Sequence, residues 1–355
     1  MMDLDNLNLY AKTDPSNMLR RIGELPQQCR DAWQSAAKLD LPSDYAKVEK
    51  VIILGMGGSA IGGDLASSLA IEQGAMPILV QRDYNLPASV NKKTLVIASS
   101  YSGNTEETLS AFGQALKTRA RKLAITTGGQ LKALAEQNGI PLFTFKYLAE
   151  PRAALGYSLF SILGILQKLG LLQLSDSDVA QAISTLDELS PRLDKNMPSI
   201  SNPAKQLAAR LFDRLAVIYG AGILSKVALR WKTQFNENSK AWAFAEYLPE
   251  LDHNSVVGYN FPEWLRQKAL VVMLNSPSLH PRIRARFQIT AEIMTRAGIE
   301  HETVEAQGAT LLAQMMSTIF LGDYVSYYLA ILNRTDPAPV ATIDYLKQRL
   351  GKLEA

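Results

Sequence analysis

The chain begins as apolar runs alternating with amphipathic ones. "KVIILGM" is an unbroken apolar run ending at a glycine turn, and "SAIGGDLASSLAIEQ" behind it has helical spacing. "PILVQRD" and "TLVIASS" are two more apolar runs, the second followed by the helical "EETLSAFGQALKTR". "KLAITTG", the helical "QLKALAEQN" and "PLFTFK" complete the series. Apolar runs without alternation suit strands covered on both faces, as in a parallel sheet. Their interleaving with helices predicts a doubly wound α/β sheet.

A long helical pattern starts near Ala153, and the chain turns polar at "LLQLSDSDV" before the amphipathic "AQAISTLDELSPRL". A domain boundary is expected within residues 172–200. The expected division is 1–180, with an N-terminal helical extension, and 181–355, with C-terminal helices. The second half repeats the pattern more sparsely. "LAVIYGAG" is a strand, followed by a long helix through "SKVALRWKTQFNENSKAW". "ALVVMLN" is a strand, "RIRARFQITAEIMTRAG" a helix and "EHETVEA" a strand. "LLAQMMSTIFLGDYVSYYLAILN" and "ATIDYLKQRLGK" close the chain as helices. Both "VIILGMGGSA" and "LAVIYGAGIL" run from strand into G-x-G. Two related halves would produce this, and so would a shared strand–turn–helix solution.

A length of 355 residues suits two domains. Thirty-seven basic against 34 acidic residues give a net charge of +3, which argues against nucleic acid or an anionic membrane as the main partner. Cys29 is the only cysteine, so no internal disulfide can form and a reducing, cytoplasmic compartment is expected. One cysteine and three histidines cannot supply an ordinary His/Cys metal cluster. "MMDLDNLNLYAKTDPSN" has neither a basic nor an apolar leader region, so no signal peptide is expected. The longest apolar runs are broken by Gln167 and Lys168 and by Gln314 and Asp323. They read as buried helices rather than as the ~20-residue apolar stretch of a membrane span.

Chemistry concentrates in "VIASSYSGNTEETL", where a strand hands over to a helix. Ser, Thr and Asn fill five of the seven positions 99–105. One helix cap needs one such residue. Open α/β sheets bind ligands at this end of their strands, and a helix N-terminus there suits phosphate. Ser100, Ser102 and Thr105 are therefore expected to wrap a phosphate monoester. The earlier turn, "GMGGSAIGG", has two readings. It fits a loose dinucleotide fingerprint with Asp83 at the end of the next strand. Alternatively, Ser59 at the helix start joins the second turn on a sugar phosphate.

"GMGGSAIGGD", "SSYSGNTEETL", "ITTGGQL", "EPRAALGYSL", "NENSK" and "PELDHNSVVGY" together resemble the bifunctional phosphoglucose/phosphomannose isomerases. The resemblance runs in order from about Gly55 to Lys347. It implies two sugar-isomerase (SIS) domains, flavodoxin-like three-layer αβα units with mainly parallel sheets. It implies interconversion of glucose 6-phosphate and fructose 6-phosphate, and of mannose 6-phosphate and fructose 6-phosphate. No metal or cofactor is implied. Ser59, Ser100, Ser102 and Thr105 would hold the phosphate, with Gly57 and Gly58 beside the sugar. Arg152 would sit near C1 and C2, and Glu237 would be the base. His253 would open the ring from the neighbouring subunit of a homodimer, and Lys347 would also enter the site. The family pattern has a threonine where this chain has Ala338, and that hydroxyl is associated with accepting both C2 epimers. Thr335 and Thr342 are the nearby alternatives.

Residue chemistry supports these roles. A carboxylate can carry a proton between C1 and C2, a permanent guanidinium can stabilise enediolate oxygens, and a histidine can titrate near neutrality. Taken alone, each residue has a bland reading. Glu237 could end a helix in a polar patch, His253 could be a turn histidine, Arg152 could open a helix, and Lys347 could be solvated. His280 and His301 read as structural or surface residues, and "RIRARF" as a solvated helix face. Two rival functions remain: a non-catalytic sugar-phosphate sensor, and a nicotinamide-dependent oxidoreductase.

Overall fold

The computed structural model describes residues 3–353. Three helices come first: α1 (Asn8–Thr13), α2 (Met18–Gly23) and α3 (Leu25–Ala37). The first α/β unit follows as β1 (Lys50–Leu54), α4 (Gly57–Glu72), β2 (Ile78–Gln81), β3 (Thr94–Ser100), α5 (Glu106–Leu116), β4 (Arg121–Thr126), α6 (Gly129–Gln137) and β5 (Leu142–Thr144). Its five strands are all parallel, in the order β2-β1-β3-β4-β5. That is the flavodoxin-like order.

Helices α7 (Leu155–Lys168), α8 (Asp176–Leu193) and α9 (Pro203–Leu211) lead to the second unit. That unit contains β6 (Leu215–Gly220), α10 (Ser225–Glu237), β7 (Ala243–Tyr247), α11 (Glu263–Lys268), β8 (Ala269–Asn275), α12 (Pro281–Ala297) and β9 (His301–Glu305). Its strands are parallel in the order β7-β6-β8-β9. The first strand of each unit thus lies between its second and third, and each ends in a G-x-G turn. The repeated motif reflects a repeated strand order. Residue 180, the expected division point, lies within α8. Two helices end the chain: α13 (Leu311–Leu332) and α14 (Ala341–Leu350).

Side-chain alternation along the strands builds the layers. Val51 and Ile53 face one apolar core, while Ile52 and Leu54 face a second one under Phe112 of α5 and Leu131 of α6. The first core continues through α3, α4, α7 and α13 to Ala216 and Ile218 of β6, so both sheets share it. Helix α13 is apolar and long enough to span a membrane by composition, yet 94% of its most apolar window is buried in the fold. That burial is the fate expected from its pattern.

Two expectations need correction. The helix read through "SKVALRWKTQFNENSKAW" stops at Glu237, and "AFAEY" is strand β7. Asn238 is the C-cap, still giving its N–H to Gln234 O at 2.8 Å while its side chain reaches Arg152 and Ser326, and Lys240 then turns the chain with a φ of +52°. The pattern near Ala153 begins as a 3-10 turn, Pro151–Ala154, before α7.

Candidate active site

The turn after β3 is held by its own hydroxyls. Ser100 Oγ lies 2.9 Å from Thr105 Oγ1 and accepts from Gly103 N at 3.1 Å. Ser102 Oγ accepts from Asn104 N at 3.2 Å, and Ser59 Oγ accepts from Tyr101 N at 3.0 Å. Thr105 stands at the N-cap of α5, but its side chain makes no cap bond. The first N–H groups of α5 are thus left open, the condition for anion binding. Ser59 and Ser100 are nearly buried, at 6% and 1% exposure, and order the loop from beneath. Ser102 is exposed and Thr105 half-buried, so these two hydroxyls face what approaches.

Gly103 is required by its backbone: φ is +67°, and a Cβ there would fall 1.8 Å from Gly128 O. Gly58 is required by proximity. A Cβ on it would lie 2.8 Å from Pro151 O and 3.0 Å from Arg152 N. The start of α4 therefore rests directly on the turn carrying Arg152. Gly57, next to it, is exposed with open space around its Cα. Tyr101 ties the same loop to the 147–149 segment by donating to Tyr147 O and accepting from Ala149 N at 2.9 Å.

Arg152 is 3% exposed and held on every side. Its Nε donates to Asn238 Oδ1 at 2.7 Å. Its Nη2 donates to Pro337 O at 2.5 Å and Ala338 O at 2.8 Å. Its Nη1 meets Glu237 Oε2 at 3.4 Å. Those four bonds engage four of the five guanidinium N–H groups and leave one, on Nη1, beside the carboxylate. Burial lowers the Arg152 pKa, with Glu237 opposing, and the group stays cationic. Its backbone is held too: Arg230 Nη2 donates to Arg152 O at 3.0 Å and to Asp323 Oδ2 at 2.7 Å. Asn238 Nδ2 donates to Ser326 Oγ at 3.0 Å, so α10 and α13 together support the arginine.

Glu237 is the last residue of α10, and its side chain is 27% exposed. Lys240 Nζ donates to Glu237 O at 2.6 Å and to Pro337 O at 3.1 Å. Burial, then Arg152, push its pKa down to about 8. Ala338 is buried at 5% exposure, with its carbonyl turned to Arg152. His253 and Lys347 are exposed, and neither side chain bonds a described residue. The structure thus brings Ser59, Gly58, Arg152 and Glu237 into one region, while His253 and Lys347 stand at the surface. Asn238, Lys240, Tyr101 and Arg230 were missed from sequence. The first two lie inside "NENSK" and Tyr101 inside "SSYSGNTEETL", and only packing reveals Arg230.

The corresponding turn of the second sheet is closed. Ser276 Oγ is buried against Gln314 Oε1 at 2.5 Å, and His280 Nδ1 caps α12 by accepting from Arg282 N at 3.1 Å. The acidic Glu305 accepts from Asn275 Nδ2 at 2.8 Å. Among the described residues, the open turn is therefore that of the first sheet.

A family model described as the bacterial phospho-glucose isomerase C-terminal SIS domain matches residues 200–350. A hypothetical protein from Thermus thermophilus shares the fold, with a TM-score of 0.73 at 18% identity over 97% of this chain and 92% of that one. A bifunctional phosphoglucose/phosphomannose isomerase from Aquifex aeolicus is 35% identical over 88% of this chain and 94% of its own length. A bifunctional phosphoglucose/phosphomannose isomerase from Caldicellulosiruptor bescii is 40% identical over 95% of this chain and 100% of its own length. The chain belongs to the family of bifunctional phosphoglucose/phosphomannose isomerases.

Proposed function

We propose that the chain interconverts glucose 6-phosphate and fructose 6-phosphate, and mannose 6-phosphate and fructose 6-phosphate. The observation carrying this is the Arg152–Glu237 contact of 3.4 Å, reached from the phosphate cradle through Gly58. Ser59, Ser100, Ser102 and Thr105 form or order that cradle. Glu237 removes the C2 proton of the open-chain aldose, and the electrons move to the C1 carbonyl oxygen. The enediolate charge faces the remaining N–H of Arg152, a preorganised donor. The O2 proton moves to O1, C2 becomes the carbonyl, and Glu237 returns its proton to C1. The carbon-to-carbon proton transfer is assigned to Glu237 and its charge to Arg152, a route that calls for no metal or cofactor. Relatives that are bifunctional phosphoglucose/phosphomannose isomerases support the mannose epimer as a substrate. In this chain Ala338 contributes a carbonyl that holds Arg152, and no hydroxyl.

The chain works as a homodimer in this reading. Val257, Phe261 and Trp264, close in sequence to His253, are 82%, 84% and 66% exposed, an apolar surface that a partner would cover. Helix α14 has no buried residue and carries Tyr345 and Leu346 outward with Lys347. A second copy packed there would carry His253 to the neighbouring site and bring Lys347 toward it. In this reading the halves are 1–180 and 181–355, a division that falls inside α8. The buried thiol of Cys29 suits a reducing cytoplasm.

Proton exchange into each hexose 6-phosphate in deuterium oxide, followed by NMR, tests this. Exchange at C2 of the aldoses and C1 of fructose 6-phosphate is expected, with conversion of both epimers. Binding without exchange would identify a sensor instead.

A further inference from the structure

The turn that carries His253, Glu250–His253, is fastened to α12 by its two preceding residues. Leu251 is 2% exposed and shares an apolar cluster with Phe287 and Met294 of α12. Asp252 takes a bond on each oxygen from the same helix. Arg286 Nη1 donates to Oδ2 at 2.9 Å, and Thr290 Oγ1 donates to Oδ1 at 2.9 Å. Arg286 and Thr290 are four residues apart on α12, hence on one face. The Asp252 side chain is only 12% exposed. Beyond the histidine, Asn254 Oδ1 accepts from Ser255 N at 2.6 Å, and its Nδ2 donates to Glu250 Oε1 at 3.0 Å, closing the turn on itself.

The consequence lies in what is left free. Each Asp252 oxygen accepts a bond from α12, so the carboxylate tethers the turn to that helix. His253 projects outward from a backbone fixed on both sides. A residue on a short surface turn would otherwise sample many orientations, and misplacing a reacting group by an ångström costs rate steeply. The 320 Å³ groove lined by Asp252, Val256, Arg286 and Thr290 is the seam of this joint. Arg286 therefore does not belong to a merely solvated face, as "RIRARF" suggests from sequence.

We infer that Arg286 and Thr290 are positioning residues for His253, acting through Asp252. This rests on the reading that His253 opens the sugar ring across the dimer. A purely structural role makes a different prediction: any loss of rate would follow the loss of stability and would not depend on His253.

The test measures enzyme-catalysed anomerisation and isomerisation of glucose 6-phosphate by exchange NMR, beside thermal melts and dimer size. Arg286→Met and Thr290→Val are each expected to slow anomerisation by about tenfold, with KM little changed and melting nearly intact. Arg286→Lys should recover much of the loss. In a His253→Ala background the Arg286 substitution should have no further effect, the non-additivity of residues acting as one unit. Losses that multiply independently of His253, or that follow melting alone, overturn the inference while leaving His253 its role. An unchanged anomerisation rate in His253→Ala overturns the ring-opening reading itself, and the inference with it.

Discussion

Arg152 Nη1 and Glu237 Oε2 stand 3.4 Å apart, although one residue opens a turn behind the first sheet and the other ends a helix of the second. In the proposed reaction this partly open carboxylate is the base and the buried cation beside it the charge stabiliser. Glu237→Gln keeps the shape and removes the base. Isomerisation should fall by about 10²–10⁴. Calorimetric affinity for 6-phosphogluconate should change little. A variant retaining most of its rate would move the base elsewhere.

If His253 comes from the partner, two dead enzymes can make a live one. Mixing Glu237→Gln with His253→Ala and allowing subunits to exchange gives heterodimers. In these, one site pairs the intact Glu237 of one chain with the intact His253 of the other, and the second site lacks both. Activity should reappear on mixing and scale with the heterodimer fraction. A mixture no more active than its parts would place both groups in one chain or exclude the histidine.

The phosphate cradle separates affinity from turnover. Ser102→Ala removes an exposed hydroxyl and Thr105→Ala one that is half-buried against Ser100 Oγ, and both should raise KM with kcat nearly kept. Gly103→Ala is harsher, since its φ of +67° and the 1.8 Å approach to Gly128 O leave no room for a Cβ. It should cost about 1–3 kcal/mol in backbone strain alone, seen in urea titration. It should also weaken sugar-phosphate binding more than either hydroxyl deletion.

Much of this was legible in sequence because it is local. Buried strands appear as apolar runs, and "SSYSGNTEETL" carries its hydroxyls in one stretch. Strand β7 was not legible. Its five residues, Ala243–Tyr247, mix apolar with polar, and they follow closely on a helix whose end is marked by the left-handed backbone of Lys240, a residue type that does not announce a turn. Arg230 was not legible either, since a lone arginine in an amphipathic helix ordinarily faces water. Nothing in the spacing indicates that α13 carries Asp323 to meet it.

The Arg230–Asp323 pair, 2.7 Å apart with both side chains almost wholly buried, supports Arg152 from below. Removing one partner strands a charge in the core. Asp323→Ala should cost about 3–5 kcal/mol in chemical denaturation. The double substitution Arg230→Met with Asp323→Leu should be far milder than the sum of the singles. Arg152 O would still lose its donor, so the double variant should fold and yet isomerise more slowly. Additive losses in stability would show that the two charges do not compensate one another.

Lys240 offers a pH test whose sign is fixed. Its pKa of about 8 in the fold lies below the ordinary 10.5. Between those values the unfolded chain binds more protons, so this group makes stability rise with pH across that window. Below it the lysine is charged in both states and its contribution no longer changes with pH. The difference in urea stability between wild type and Lys240→Met should therefore move in favour of wild type from about pH 7 to about pH 10. Catalysis should change in the opposite sense. The ammonium adds positive charge beside Arg152 and Glu237, so kcat should decline through pH 8, and Lys240→Met should be slower but flat there. Parallel stability profiles in the two proteins would show that Lys240 does not titrate in this window.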